Sequence, residues 1–359
     1  MATLTEAAYY TRTGVKWGVV ALVGLMVGRI FFGALIAWWK ATHPPPPPPP
    51  TVGFGKLPAI QFPDTIQPDL EYSLETVSGT TPVLNDQTAV YFMPIKKANL
   101  LALERATEKA ANLGFVFNPK KISEEVYQWT KTQPLASSLE INIITGNFEI
   151  EVNWQTDPGF LKKKQLPNQT QAAKEISGLL RQARLIPIDL VEGRQEIAYF
   201  KVVGNKYVKT VSLSEADFVK LSMFRKPIGE DQLLAVTPES ENGIVQVMFS
   251  GSTDSGERIV SLIYNYFPVD YLNFQTYPLK ASSQAWEELK SGQGFVAAVD
   301  DGVEQVIVRR VKLAYFDSFK PQNYLQPVYV FEGDNGFIGY VGAVDEEWIQ
   351  ENPYSQPVN

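Results

Sequence analysis

The segment between Trp17 and Trp39 constrains this chain more than any other part of its sequence. It reads WGVVALVGLMVGRIFFGALIAWW, with one charged residue, Arg29, and no proline. A helix of about 20 mostly apolar residues is long enough to cross the roughly 30 Å apolar layer of a bilayer. The sequence therefore predicts a transmembrane helix over residues 17–39, followed by a large part that lies outside the bilayer.

The flanks of this segment favour an uncleaved signal anchor. Side chains that prefer the headgroup region lie at both of its ends: Tyr9, Tyr10 and Trp17, and then Trp38, Trp39 and Lys40. Arg12 and Lys16 precede the segment, so the positive-inside rule predicts a cytoplasmic N-terminus and an extracytoplasmic C-terminal domain on a cell membrane. A cleaved signal peptide is the alternative, but the apolar run is longer than a usual signal-peptide core and no A-x-A site follows it.

The predicted helix has features that suit contact with a second helix. Gly24 and Gly28 form a G-x-x-x-G pair, and Gly33 begins a second pair of small residues; such spacing lets two helix backbones approach closely. Arg29 follows Gly28 directly, which places the charge beside such a contact. A central arginine costs about 2.5–3.5 kcal/mol on insertion, and it either pairs with a carboxylate on a neighbouring helix or extends to the nearer headgroups. We predict contact with a membrane protein partner, or self-association, through these four residues.

Composition excludes several kinds of site. The chain has 359 residues, a formal net charge of −7 and no cysteine. Its acidic balance argues against nucleic acid as a partner, because nucleic-acid binding needs a basic face. The absence of cysteine fits a bacterial envelope protein and excludes thiolate nucleophiles, thiolate metal sites and covalent haem. The one histidine, His43, lies before the proline run, so no histidine-based site is predicted farther along the chain, and no cofactor is predicted.

The chain is predicted to divide into six segments. They are a polar tail over 1–16 that is disordered or interfacial, the helix over 17–39, a proline-rich spacer over 40–68, two α+β domains over 69–190 and 191–350, and a tail over 351–359. The unbroken proline run at 44–50 forms a stiff spacer of about 3.1 Å per residue. A docking ligand for a module that binds polyproline is the alternative, although such modules are mostly cytosolic. Residues 51–68 are predicted to be an extended lead-in and not a packed element, because they are rich in glycine and proline.

The hydrophobic periodicity of the remaining chain predicts an α+β fold. Apolar residues at helical spacing predict helices over 99–112, 170–184 and 282–290. Alternating or short apolar runs predict strands over 70–74, 88–93, 125–130, 139–144, 148–154, 196–203, 207–211, 218–224, 244–249, 259–267, 303–315, 325–331 and 337–344. Turn residues at 145–147, 204–205 and 334–336 join several of these strands as hairpins. We therefore predict repeated helix-then-strands units in which antiparallel sheets are each packed by helices.

Clustered carboxylates in this sequence indicate turns and solvated surface. Residues 300–302 and 332–336 lack the regular series of oxygen ligands of a calcium loop, and both have turn chemistry. Glu287 and Glu288 are neighbours on a predicted helix and point about 100° apart, so they cannot act as a pair on one site. We predict no metal site and no enzymatic activity.

Aromatic residues are concentrated between positions 264 and 274. Strand alternation places Tyr264 and Tyr266 on the same side of one strand, and Tyr271 follows soon after. A core with a half-exposed strand face accounts for this pattern. Exposed tyrosines would instead favour a protein contact, because tyrosine is common in interface hot spots. The three tyrosines are therefore candidate protein-contact residues.

The C-terminal quarter of the chain resembles a known family. The runs that carry the resemblance are SSQAWEEL, VKLAYFD, LQPVYVF and GFIGYVGAV, and the matching positions are Ala285, Leu289, Leu313, Tyr315, Leu325, Pro327, Val328, Tyr329 and Ala343. They resemble the extracytoplasmic domains of the YycH/YycI-type regulators, which also have a single N-terminal span. The resemblance implies a membrane-anchored accessory protein that adjusts a cell-wall sensor histidine kinase through transmembrane and outside contacts.

Two functions are predicted from these observations. The first is a single-pass extracytoplasmic regulatory protein that acts by protein contacts on a sensor kinase or another envelope system. The alternative is a structural component or spacer of a secretion, pilus or wall assembly, since the anchor and proline run resemble the layout of TonB-type energy-transducing proteins. An enzyme acting on wall polymers would need two convergent carboxylates, which the sequence does not place.

Overall fold

The computed structural model describes residues 4–42, 48–204 and 206–350. Predictions that fall on residues 1–3, 43–47, 205 and 351–359 lie outside the described residues. The described helices are α1 (Leu4–Thr42), α2 (Ala102–Asn112), α3 (Gln169–Gln182), α4 (Ile188–Val191), α5 (Ser255–Arg258) and α6 (Ser282–Lys290). The described strands are β1 (Glu71–Leu74), β2 (Gln87–Phe92), β3 (Lys120–Lys121), β4 (Val126–Lys131), β5 (Ser137–Asn142), β6 (Phe148–Val152), β7 (Gln195–Val203), β8 (Lys206–Thr210), β9 (Phe218–Met223), β10 (Ala235–Val236), β11 (Val245–Ser250), β12 (Ile259–Tyr264), β13 (Asp270–Pro278), β14 (Phe295–Ala298), β15 (Gln305–Phe316), β16 (Tyr324–Leu325), β17 (Pro327–Gly333) and β18 (Ile338–Gly342). Contacts divide the chain into two units, Met1–Pro49 and Pro50–Asn359.

The first unit is built on one long helix. α1 begins at Leu4 and not at Trp17, so the described part of the tail predicted to be disordered or interfacial is helical. Extending a helix adds one hydrogen bond for each residue fixed, whereas starting one is unfavourable, so the apolar segment extends the helix into its proline-free flank. α1 ends at Thr42, before the prolines, because proline lacks the N–H donor that a helix interior needs. Its 39 residues span about 58 Å at 1.5 Å per residue, which exceeds the roughly 30 Å apolar layer of a bilayer.

The largest sheet of the second unit has nine strands. Its order is β3-β4-β5-β6-β12-β11-β9-β7-β8, and every pairing in it is antiparallel. One face is covered by α2 and α3, whose apolar residues are buried against alternate strand residues such as Leu139, Ile150 and Val247. α3 begins with a capping box, since the Asn168 side chain accepts from the Gln171 backbone at 2.9 Å and the Gln171 side chain accepts from the Asn168 backbone at 3.0 Å.

A second sheet has six strands, in the order β1-β15-β17-β18-β14, with β10 also paired to β15. The short strands β1 and β10 run parallel to β15, whereas the other pairings are antiparallel. α6 covers this sheet through Ala285, Trp286 and Leu289, which pack beside Phe331 and Val341. A third, antiparallel sheet has the order β13-β2-β16. With 25% helix and 33% strand, mostly in antiparallel sheets, the predicted α+β class is confirmed.

The lead-in over residues 51–62 lacks regular secondary structure, as predicted, but it is packed, contrary to the prediction. Leu57 is fully buried, and its backbone pairs with residues 348–350 through bonds of 2.7 and 2.8 Å. Phe62 stacks on Phe295, with ring centroids 5.2 Å apart. Burial of the apolar side chains of residues 51–62 in the domain is more favourable than their exposure to water. This part of the predicted spacer therefore belongs to the folded unit. We call residues 51–62 the strap.

The predicted boundary between residues 190 and 191 passes through the nine-stranded sheet. β3 to β6 lie before that boundary and β7, β8, β9, β11 and β12 after it, and β6 pairs directly with β12. The early strands β1 and β2 likewise pair with β15 and β13. The sheets therefore combine strands from both predicted domains.

Candidate functional site

The predicted partner residues of α1 are exposed but do not share one face. Arg29 is exposed, and a Cβ built on Gly24, Gly28 or Gly33 would meet no atom within 4 Å. Successive helix residues are rotated by about 100°, so Gly24 and Gly28 lie about 40° apart while Arg29 lies about 100° beyond Gly28. Arg29 shares its face with Gly33 instead. α1 therefore has a glycine face and a separate Arg29–Gly33 face, and contact with a partner through these residues stays a prediction.

The physical character of α1 suits a lipid environment. Residues Ala8–Lys40 have a mean hydropathy of 2.4 within their most apolar window, and none of that window is buried inside the protein. Among the described residues, α1 is the one helix that is long and apolar enough to cross a membrane. A signal sequence near an N-terminus has the same length and composition, so these properties establish an apolar, membrane-compatible helix and not its topology.

Two of the three candidate tyrosines, Tyr266 and Tyr271, lie beside a buried arginine. Arg225 is 1% exposed; its Nε donates to Asp317 Oδ2 at 2.7 Å and its Nη1 donates to Asp189 Oδ2 at 2.7 Å. Nη2 donates to the carbonyl of Phe267. The ring of Tyr266 lies 4.7 Å from the guanidinium carbon, and the Tyr271 hydroxyl donates to Asp189 at 3.0 Å. We call Arg225, Asp189, Asp317, Tyr266 and Tyr271 the arginine cluster.

The positions of the three candidate tyrosines determine how much of each is accessible to a protein partner. Tyr264 is 5% exposed, and its hydroxyl donates to the carbonyl of Leu185 at 2.8 Å, so it offers no surface to a partner. Tyr266 and Tyr271 are half-buried, and their hydroxyls bind Asp189. Their role as protein-contact residues stays a prediction, whereas their contact with the arginine cluster is a structural fact.

The electrostatics of the cluster come from two carboxylates that share one cation. Burial alone would lower the pKa of Arg225, but Asp317 and Asp189 together raise it above its ordinary value. Burial raises the pKa of Asp317; Arg225 opposes this rise and the neighbouring Asp189 adds to it. Burial also raises the pKa of Tyr266 to about 12, with Asp189 adding to the rise. Buried charges are tolerated only when they are paired and hydrogen-bonded, as they are here.

The cluster joins the three sheets of the second unit. Arg225 follows β9 of the nine-stranded sheet, Asp317 follows β15 of the six-stranded sheet, and Tyr271 lies on β13 of the third sheet. Asp189 lies on the short helix α4. Sequence reasoning missed the cluster because its charged members are separated by 36 and 92 residues. Its arrangement is that of a structural junction, because both carboxylates are buried and hydrogen-bonded.

The predicted turn at residues 334–336 forms as expected, whereas Glu288 does not lie on a solvated surface. In the turn between β17 and β18, Asn335 and Gly336 adopt φ angles of 55° and 66°, which suit a tight hairpin. Glu288 pairs with the buried Lys280 at 2.8 Å, whereas Glu287 pairs with Lys290 at 2.7 Å, so the two glutamates have separate partners. Within the described residues, no group of three or more aspartate, glutamate or histidine side chains is arranged to hold a metal ion.

An open polar groove of about 550 Å³ lies on the nine-stranded sheet. Glu140 on β5 and Glu149 on β6 are paired across the two strands and line this groove. They alternate with buried residues such as Leu139 and Ile150, so they point away from the covering helices. Burial raises the pKa of Glu149, and the carboxylates of Glu151 and Glu140 raise it further. This pair was not predicted from the sequence, although the alternating glutamates of two strands joined by a hairpin indicate it.

Comparisons with known proteins leave the family open. No protein-family model matches the chain, and no curated protein matches it. A solved structure of an uncharacterized protein from Eubacterium rectale is similar over 77% of this chain and 88% of that one, at 10% identity and a TM-score of 0.33. These comparisons do not bear on the resemblance to YycH/YycI-type regulators, which stays a prediction.

Proposed function

We propose that this chain is a single-pass, membrane-anchored accessory protein whose extracytoplasmic domain and transmembrane helix regulate a partner by protein contacts. The observation that carries the proposal is α1: an exposed apolar helix with an arginine near its middle that forms no ion pair among the described residues. An intramembrane arginine usually faces protein or water and pairs with a polar group. An acidic residue on a partner helix would form that pair with Arg29. The resemblance of the C-terminal quarter to YycH/YycI-type regulators supports a sensor kinase as the partner.

The two faces of α1 make this proposal testable. In cells, crosslinking followed by capture from mild detergent compares wild type with Arg29→Leu and with Gly28→Leu. We expect Arg29→Leu to lose a defined membrane partner, because it removes the charge from the Arg29–Gly33 face while keeping α1 apolar. Gly28→Leu changes the other face and is the matched control for helix insertion. Because the chain has no cysteine, Ser78→Cys, an exposed position, reports by impermeant thiol labelling whether the domain is extracytoplasmic.

Each result of this comparison has a clear meaning. Loss of the partner in Arg29→Leu alone supports regulation through the charged face. Retention of one large assembly by wild type and both variants would refute that role and favour the alternative function, a structural component or spacer of an envelope assembly. Failure of wild type to capture any partner would overturn both contact functions.

A second candidate function rests on the Glu140–Glu149 pair. Glycan hydrolysis uses two carboxyl groups, one of which keeps its proton because its pKa is raised. The paired glutamates in the open groove, with the raised pKa of Glu149, meet these two requirements. Incubation of the full chain in detergent with purified wall glycan tests this function: release of soluble fragments by wild type and not by Glu149→Gln supports it, and no release by wild type refutes it.

A further inference from the structure

A group of three cations lies beside the turn that joins β5 to β6. Arg105 and Lys109 lie four residues apart on α2, which places them on one side of that helix. Lys96 approaches from the segment before α2. We call Lys96, Arg105, Lys109 and the turn residues Thr145 and Gly146 the basic turn.

The geometry of the basic turn brings the two lysines together. Lys109 Nζ donates to the carbonyl of Gly146 at 2.6 Å, and Lys96 Nζ donates to the carbonyl of Thr145 at 3.2 Å. A Cβ built on Gly146 would lie 3.0 Å from Lys109 Nζ and 3.7 Å from Lys96 Nζ, so the two nitrogens are at most 6.7 Å apart. Gly146 has a φ of 78°, which glycine adopts without strain and which leaves this space free of a side chain.

No carboxylate offsets these three positive charges. Within the described residues, none of the seventeen ion pairs includes Lys96, Arg105 or Lys109. Burial, together with the neighbouring Lys96, lowers the pKa of Lys109 to about 8. Burial and the neighbouring Arg105 also lower the pKa of Lys96. In a chain with a net charge of −7, three neighbouring cations without an ion-pair partner among the described residues form a local positive site.

We propose that the basic turn binds a phosphate group, and that the anionic oxygens of this ligand replace the missing carboxylates. The two ammonium groups of Lys96 and Lys109 can each donate to a different oxygen of one phosphate at this spacing. Arg105 adds positive charge beside Lys96, and its planar guanidinium suits phosphate geometry. The ligand class is a phosphate or phosphodiester, whether free or in a lipid headgroup. This inference does not rest on the proposed contacts of α1.

The test is calorimetric titration of the full chain in a maltoside detergent, which carries no phosphate. One arm uses inorganic phosphate at constant ionic strength, with chloride as the replaced anion, and the other uses short-chain phosphatidylglycerol. We expect saturable binding in at least one arm. Binding of the lipid alone identifies the headgroup as the source, and binding of both, with competition, identifies the shared phosphate chemistry.

Three variants distinguish the basic turn from general surface charge. Lys96→Met with Lys109→Met keeps the aliphatic stems and should weaken binding by at least about tenfold, the effect of losing one charge-assisted hydrogen bond. Arg105→Gln alters an exposed side chain, so a loss of binding in it cannot be ascribed to misfolding. Lys97→Gln, an equal charge change one residue away, should bind like wild type. Absence of saturable binding by wild type in both arms, or equal binding by wild type and the double variant, would overturn the proposal.

Discussion

Replacement of Arg225 by methionine should be among the most destabilising single changes in this protein. The substitution removes the hydrogen bonds to Asp317, Asp189 and the Phe267 carbonyl, and it leaves two carboxylates buried without a cation. Removal of one partner from a buried ion pair costs about 3–5 kcal/mol. Domains are stable by only about 5–15 kcal/mol in total, so the variant should be marginal. Urea unfolding of the full chain in detergent measures the loss, with the fluorescence of the fully buried Trp129 as one probe of the nine-stranded sheet.

The pH dependence of this loss identifies its cause. Burial already raises the pKa of Asp317 in wild type, and removal of Arg225 takes away the group that opposes the rise. A carboxyl whose folded pKa is raised destabilises the fold above that pKa and stops doing so as pH falls through it. The deficit of Arg225→Met should therefore be largest well above the raised pKa of Asp317 and should shrink as pH falls through that pKa.

Two further variants complete the experiment. Arg225→Lys keeps the charge but not the planar fork of donors, so its loss should be intermediate. Arg225→Met combined with Asp317→Asn removes one of the unpaired carboxylates and should cost less than the sum of the single changes. A loss below about 1 kcal/mol in Arg225→Met, the size of a typical surface change, or a deficit that does not vary with pH, would refute the assignment of the cluster as the junction of the sheets.

Two other predictions concern the strap and the paired glutamates. Leu57→Ala should lower the free energy of unfolding by about 2–5 kcal/mol, as for other buried leucines. The control Ile66→Ala, at an exposed position, should change it by less than about 0.5 kcal/mol. Equal effects of the two changes in urea unfolding would mean that the strap is not part of the fold. Glu149→Gln should raise the free energy of unfolding at pH 7 by about 0.2–1 kcal/mol, because it removes a like-charge pair with Glu140. The gain should disappear as pH falls through the raised pKa of Glu149. A gain that persists at acid pH, or an equal gain from the exposed Glu108→Gln, would contradict this account.

Most regular elements of this fold could be predicted from the sequence because their signals are local. The predicted helix over 282–290 coincides with α6, since Ala285, Trp286 and Leu289 recur at helical spacing and face the six-stranded sheet. The hairpin at residues 145–147 formed because Gly146 supplies the positive φ that the turn requires. Both features depend on residues close together in the chain, which is what periodicity and turn chemistry detect.

β13 and β14 were missed for identifiable reasons. β13 has the run Tyr-Leu-Asn-Phe-Gln-Thr-Tyr, whose large residues do not alternate regularly; its burial pattern is irregular and Leu272 is 94% exposed. It is a strand because β2 pairs with it, and a register shift between Asp270 and Phe274 interrupts the alternation. β14 has only four residues, Phe295–Ala298, too few for a periodic signal. Such strands are determined by their neighbours in the sheet more than by their own sequence.

The candidate sites show the same division between local and distant information. The glycines and Arg29 of α1 could be assigned from the sequence because one helix holds them all, and only their grouping by face needed the geometry of that helix. The arginine cluster and the basic turn could not be assigned, because each combines side chains from segments far apart in the chain. Asp317 lies 92 residues from Arg225, and Lys109 lies 37 residues from Gly146.

The strap also sharpens the difference between the two contact functions. Thr51 and Thr276 exchange backbone-to-hydroxyl bonds of 2.9 Å, and Leu57 pairs with residues 348–350, so the chain is fixed to the domain from residue 51 onward. The sequence predicts a polyproline helix for the proline run, so each deleted proline should shorten the chain between α1 and the strap by about 3.1 Å. Deletion of prolines changes reach and leaves the Arg29–Gly33 face of α1 intact. A spacer depends on that reach, so deletion of prolines should impair it and Arg29→Leu should not. A regulator that acts through the charged face of α1 depends on Arg29, so Arg29→Leu should impair it and deletion of prolines should not.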